Sequence, residues 1–430
     1  MPSELKKIAE YLFLSFFIGL LIIKGIIPAW RSVHSDFANY YVSASLVADG
    51  VSLENIYDNE WFQNRITDYG IDTPGKFSPF PPLTAWMMLP LTPFEPLTAQ
   101  RMFTILNIFF VALGMVALKK ITSLTWVQCT IVLLGCGLGI INNIAFGQIY
   151  LVMMVFMLFA FHLINCKFYV AAGIVLGFFT ALKYFPIVII GSLFLVGISQ
   201  QKKNDSGFNG ILSNSNLQVA FFSIFTLAVL WIIQYFYFGS QVLTDFLHSA
   251  FIPHLDGTLT GQGLYSFHFQ SWDNLFRNLF VYSKEFNLHP ALNWPQGRII
   301  FKIVITLIIS SLLFLNLYKY WLAPLAERWL VYLSMPMLAA LVLLPASATY
   351  HFILLVPPLA LLMSRSLLTK RTMYFMLTIY GLIGLIPYGL AFTLGHTLGL
   401  FFAYPRLWLM TILFLVVSYG LLQRKRLFRT

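Results

Sequence analysis

Apolar runs, many of them close to twenty residues long and separated by short polar turns, dominate the chain. A run of that length matches the hydrocarbon thickness of a bilayer, so each predicts a membrane helix. The first extends from Ile8 to about Ala29, behind Lys6 and Lys7. It lacks a small-residue cleavage site and is too long for a signal-peptide core, which predicts a retained helix. Further helices are predicted at about 97–118, 124–141, 147–165, 168–182, 185–199, 217–238, 299–318, 329–344, 351–364, 373–393 and 403–422. Lys183 and Pro186 divide one long run into two of these. The pattern predicts an all-α polytopic membrane protein of about twelve spans, one integral membrane domain over residues 1–430.

Two stretches between spans are too long for simple turns, 30–96 and 239–298. Long connections of this kind are usually functional. Both carry helix and turn signals, so they are expected to fold on the membrane surface. Within the first, Pro79, Pro81 and Pro82 forbid a regular helix. The apolar stretch Leu83–Leu91 is too short to span and predicts a re-entrant or interfacial segment, with Ser78 and Phe80 at the surface. The polar stretch Gln201–Asn216, with Lys202, Lys203 and Asp205, reads as a solvated linker.

Composition agrees and narrows the classes. Hydrophobic residues make up 59% of the chain and charged residues 10%. Soluble domains carry about 25% charged residues, and disordered chains are still more polar. The net charge of +11 is too thinly supplied to build a solvated basic face, so no nucleic-acid partner is expected. Sidedness explains it better. With both termini in the cytoplasm, 16 basic and four acidic residues fall on the internal side, and 11 basic and 12 acidic residues on or near the external side. Basic residues collect on the cytoplasmic side of membrane proteins, which supports this orientation and an even span count.

Cys129, Cys136 and Cys166 all fall in or at the ends of predicted helices, so no external disulfide framework and no zinc motif arises. No phosphate-binding glycine loop, HExxH, CxxC, GxSxG or Asp-x-Asp pair is present, so no metal or cofactor is expected.

Seven of eight histidines and twelve of sixteen acids fall on the external side. Asp36 follows the first span, with Ser35 as a plausible N-cap and Asn39 and Tyr40 on its helix face at i+3 and i+4. An ionised carboxylate there has the chemistry of a general base, and equally that of a first-turn acid that steadies its helix. In Asn142-Asn143-Ile144-Ala145-Phe146-Gly147-Gln148, the amides of Asn143 and Gln148 can meet a sugar or phosphate, or cap a helix. Lys183 is a cation between apolar helices beside the helix-breaking Pro186. It reads as a phosphate-binding charge or as a side chain snorkelling to the interface. Arg277 can clamp a phosphate or pair with Asp273 at i, i+4 on the surface. His351 opens a helix in Ala346-Ser347-Ala348-Thr349-Tyr350-His351, and can neutralise a leaving phosphate or act as a cap.

The order of five stretches resembles the bacterial membrane glycosyltransferases of family 87, in the GT-C class. They are Ser35-Asp36-Phe37-Ala38-Asn39-Tyr40-Tyr41, Phe77-Ser78-Pro79-Phe80-Pro81-Pro82, Phe146-Gly147-Gln148, Ala181-Leu182-Lys183-Tyr184-Phe185-Pro186 and Gln270-Ser271-Trp272-Asp273-Asn274-Leu275. The resemblance implies a GT-C-like fold and a polyprenyl-phosphate sugar, typically mannose, as donor. It implies a glycan or glycolipid acceptor, membrane lipid as the surrounding partner and a bacterial inner membrane with the active site on the external, periplasmic side. It implies Asp36 as catalytic base and Lys183 in the external cavity. His351 as a second catalytic residue, Lys183 and Arg277 as donor-phosphate contacts, and Tyr40, Asn143 and Gln148 as pocket residues complete the expected site. The proline-rich stretch departs from the family pattern, in which a tyrosine stands near the prolines. Two other readings fit the same layout: a secondary transporter of about twelve spans, and a non-enzymatic partner in envelope polysaccharide assembly. No repeat of helix pattern between the halves favours the transporter.

Overall fold

The computed structural model describes residues 3–200, 213–260, 263–364, 367–394 and 397–424. The expected linker at Lys202, Lys203 and Asp205, and His396, lie outside these residues. The chain divides into two compact units, one of residues 1–134 and 138–252, the other of residues 135–137 and 253–430. The division falls inside the second long segment.

The first unit opens with α1 (Ser3–Leu20), a π-helical turn and α2 (Ile27–Arg31). Then follow α3 (Ser35–Ala48), α4 (Asn59–Asp68) and two 3-10 turns, Pro82–Trp86 and Leu89–Leu91. Next come α5 (Pro96–Ile121), α6 (Trp126–Leu134), α7 (Leu138–Ala145), α8 (Tyr150–Asn165), α9 (Tyr169–Leu182) and α10 (Ile187–Gln200). The unit closes with α11 (Ser215–Phe238) and α12 (Ser240–Asp245). Its aromatic core gathers Phe37, Tyr40, Tyr57, Phe62, Phe77 and Phe80. Those residues come from the first long segment, so this segment packs as protein interior. Ser78 and Phe80, expected at the membrane surface, are buried.

The second unit contains α13 (Ile252–Asp256), which begins one residue before the boundary, α14 (Trp272–Phe280), α15 (Pro295–Lys319), α16 (Leu325–Leu343), α17 (Val356–Ser364), α18 (Lys370–Leu385) and α19 (Pro405–Gln423). A small core forms where Leu275, Phe276 and Leu279 of α14 meet Leu400, Tyr404 and Leu407.

The all-α polytopic expectation is met, and about half of the expected spans are long enough by themselves to cross a membrane. Among the described residues six helices are long and apolar enough to cross a membrane: Lys7–Arg31, Pro96–Ile121, Ser215–Phe238, Pro295–Lys319, Leu325–Leu343 and Pro405–Gln423. The pair α6 and α7 makes a seventh if taken as one span bent by 70°. The runs expected as spans around 147–199 form helices of 14 to 16 residues. At 1.5 Å per residue these reach about 21–24 Å, short of a hydrocarbon core of about 30 Å. In α8 the apolarity reflects burial inside the protein, where Met153, Met154, Met157, Leu158 and Phe161 are enclosed. A buried helix is apolar all round, like a spanning one, so composition alone does not separate them. The run 373–393 also breaks: α18 ends at Leu385, ahead of Pro387, and a 3-10 turn follows at Tyr388–Leu394.

Helices α9 and α11 pack closely along their length. Gly173 and Gly177 of α9 lie directly on the backbone of α11, where an added Cβ at Gly173 would stand 2.7 Å from the Val219 carbonyl oxygen. Small residues four apart allow such approach between membrane helices. Gly177→Ala forces a Cβ into the Ser223 carbonyl and is expected to cost about 1–3 kcal/mol. Gly191→Ala in α10 meets nothing within 4 Å and serves as the control. Thermal unfolding of the two purified variants in detergent is expected to show a lowered midpoint for the first alone.

Candidate functional site

Four of the five stretches singled out in the sequence converge in the first unit. The centre begins with the turn that delivers Asp36. Gln100 of α5 is fully buried and grips this turn from both sides. Its Nε2 donates to the carbonyls of Ala29 and Ser32, and its Oε1 accepts the His34 backbone N–H at 2.9 Å. Helix α3 then starts at Ser35, one residue earlier than a Ser35 cap would give, and His34 caps it without a side-chain bond. Asp36 stands in the first turn as expected, half-buried.

Gln148 approaches from the turn after α7. Its backbone N–H donates to the Asn143 carbonyl at 2.9 Å, and Gly147 adopts φ +66°, a left-handed conformation that glycine reaches without steric cost. A Cβ on Gly147 would stand 2.7 Å from Cβ of Phe37, so the turn lies directly on the residue after Asp36. The Tyr40 hydroxyl donates to Gln148 Oε1 at 2.7 Å. With that oxygen occupied, the amide N–H of Gln148 is the group left to hydrogen-bond the Asp36 carboxylate.

Lys183 ends α9 in an extended conformation and is buried. Its Nζ lies 3.7 Å from the ring centre of Phe80, 5.2 Å from that of Tyr150 and 5.5 Å from that of Tyr40. Three aromatic faces thus cage the ammonium, which also interacts electrostatically with Asp36. Phe80 stacks on Tyr40 at 4.8 Å. The proline-rich stretch that carries Phe80 is tied on several sides. Tyr57 donates to the Phe80 carbonyl, the Leu83 N–H donates to Gln234 Oε1 of α11, and Thr84 donates to the Leu182 carbonyl at the end of α9. The fixed φ of its prolines supplies the irregular path that a helix could not follow.

Burial raises the Asp36 pKa above the ordinary carboxylate value. The Gln148 hydrogen bond, and after it the charge of Lys183, oppose that rise. Asn143 is fully buried in α7 and returns its Nδ2–H to the Gly139 carbonyl, while its own carbonyl supports Gln148.

Arg277 and His351 stand in the second unit, each with partners there. Ser271 caps α14 by accepting the Asn274 N–H, which places Asp273 in the first turn and Arg277 one turn later. The Asp273–Arg277 pair forms at 3.6 Å, buried instead of on the surface. Asp273 also takes Arg298 at 2.8 Å and Lys302 at 3.2 Å, and Arg277 donates to the Gly257 carbonyl. His351 is buried, and its Nδ1 accepts the Ala348 N–H at 3.0 Å, so the capping role is realised.

Arg406, at the start of α19, escaped the sequence reading. It is buried, its guanidinium lies 3.8 Å from the Tyr388 ring centre and 4.9 Å from that of Phe352, and among the described residues Nε and Nη1 have no hydrogen-bond partner. Tyr150, Gln100 and the cage position of Phe80 were missed as well. Each is an ordinary apolar or amide residue whose role appears only when distant segments meet.

Residues 79–347 match the family model of glycosyltransferase family 87. The chain belongs to that family. Phe80, Gln148, Lys183 and Arg277 lie inside the matched stretch, and Asp36, His351 and Arg406 outside it. No curated protein and no solved structure matches the chain.

For this family 87 glycosyltransferase a base at Asp36 would give a pH dependence. A base works only when ionised, so on that reading activity falls as pH drops through the Asp36 pKa, which burial raises. Gln148→Ala removes an influence that lowers that pKa, so the acidic limb of the rate profile is expected to move to higher pH. A limb that stays in place when kcat/KM is measured against pH would remove Gln148 from contact with the base.

Proposed function

We propose that the protein transfers a sugar, mannose in the first instance, from a polyprenyl-phosphate donor to an acceptor hydroxyl on the external face of a bacterial inner membrane. The acceptor is a glycan or glycolipid. The observation that carries this reading is a carboxylate, Asp36, held by an oriented amide beside a caged cation.

In this mechanism Asp36 takes the proton of the acceptor hydroxyl. The hydroxyl oxygen attacks the anomeric carbon, a new C–O bond forms, and the bond to the phosphate oxygen breaks. The electron pair leaves with polyprenyl phosphate, and in-line attack inverts the anomeric centre. Lys183 neutralises the phosphate as its charge develops, an effect that is large where water is excluded. Tyr40 holds the Gln148 amide in place through its hydroxyl. Gln148 orients the Asp36 carboxylate, so one of its oxygens remains available to the acceptor.

Asp36→Asn keeps the shape and removes the base. Transfer from a radiolabelled polyprenyl-phosphate mannose by purified protein is expected to fall by roughly 10²–10⁴-fold, with the amount of folded protein unchanged. Lys183→Met, which keeps an apolar stem in the cage, is expected to lose roughly 10²–10³-fold in kcat. Full transfer by the Asp36 variant would overturn the assignment of the base. Uptake of a solute that depends on no sugar donor would support a transporter instead.

A further inference from the structure

The helix Pro295–Lys319 is the least enclosed of the candidate spans, with 11% of its apolar window buried. Along one side a groove of about 580 Å³ opens at its first turns. Two ladders at four-residue spacing line it. Arg298, Lys302 and Thr306 form the polar one, and Ile299, Ile303 and Leu307 the apolar one. Residues four apart share a helix face, so each ladder is continuous along the groove. Ile299, Ile303 and Leu307 are each more than half exposed.

We propose that this groove seats an anionic phospholipid of the surrounding membrane. Its phosphate lies between Arg298 and Lys302, and one acyl chain runs along Ile299, Ile303 and Leu307. Three observations carry this. The first is charge. Buried Asp273 is one carboxylate facing three cations, Arg277, Arg298 and Lys302. Asp256, exposed at the rim, offsets part of the excess and leaves it positive. The second is depth. Arg298 and Lys302 occupy the first two turns, and the helix then carries no charge until Lys319. A cationic head followed by an unbroken apolar stem matches a lipid's phosphate and chain. The third is size. About 580 Å³ lies within the usual range for a small-molecule site. Basic pockets among membrane helices bind anionic head groups in this manner. The groove faces outward on a poorly enclosed span, which favours an abundant membrane lipid over a rare carrier lipid. This site stands whether or not the Asp36 centre transfers a sugar.

The full chain in neutral detergent can be titrated with dioleoyl phosphatidylglycerol or, separately, dioleoyl phosphatidylcholine. Bound lipid is counted by native mass spectrometry and stability is followed by thermal unfolding. The wild type is expected to retain one phosphatidylglycerol at ratios where phosphatidylcholine is not retained, with a raised unfolding midpoint. Lys302→Gln is expected to weaken that retention roughly fivefold. Ile303→Trp fills the groove without touching the charges and is expected to abolish retention, while its lipid-free midpoint stays at the wild-type value. Equal retention of both lipids, or unchanged retention in the two variants, overturns the proposal. Displacement of phosphatidylglycerol by equimolar polyprenyl phosphate also overturns it, by assigning the groove to a carrier lipid.

Discussion

A carboxylate taken out of water loses several kcal/mol of hydration unless other groups replace it. Asp36 is held under that constraint, and much of the first unit answers to it. One replacement is the Gln148 amide, fixed in orientation by the Tyr40 hydroxyl. Another is the Lys183 ammonium, whose own desolvation is eased by three aromatic faces. Each support depends on another element: Gln148 on the turn at Gly147, Lys183 on the end of α9, and Phe80 on a proline-rich path pinned to α9 and α11. The result is a half-buried carboxylate whose ionised form has an amide and a cation to support it.

The second unit treats buried charge differently. Asp273 is surrounded by more cation than it can neutralise, and Arg406 is buried against aromatic rings with no ion-pair partner among the described residues. A removed partner leaves a buried charge uncompensated, and that costs more than an exposed pair is worth. Asp273 is therefore more exacting than its i, i+4 spacing to Arg277 suggests, since three side chains rely on it.

Much of this was legible in the chain. Apolar run length gave the all-α membrane class, and Asp36 stood out because charge is scarce and its helix start was readable. Lys183 stood out because a cation beside Pro186 interrupts an apolar run. The number of spans was less legible, because α8 is apolar largely through burial inside the protein, and run length in the sequence does not show that α8, α9 and α10 form helices of only 14 to 16 residues. Long-range partners were the least legible. Nothing local marks Gln100 as the clamp on the turn before Asp36, or Tyr150 as a wall of the Lys183 cage, because Gln100's partners lie 66 to 71 positions away and Tyr150 sits one helix before the one that ends at Lys183. Arg406 carries no motif. Its burial against Tyr388 and Phe352 is a property of packing.

The cysteines differ in a way that bears on sidedness. Cys129 and Cys136 are buried, while Cys166, at the end of α8, is exposed. A charged maleimide that does not cross membranes would meet one exposed thiol in the folded chain, and reaction would report which face of the membrane that helix end occupies. The unaltered protein therefore carries its own chemical reporter of orientation, independent of any count of basic residues.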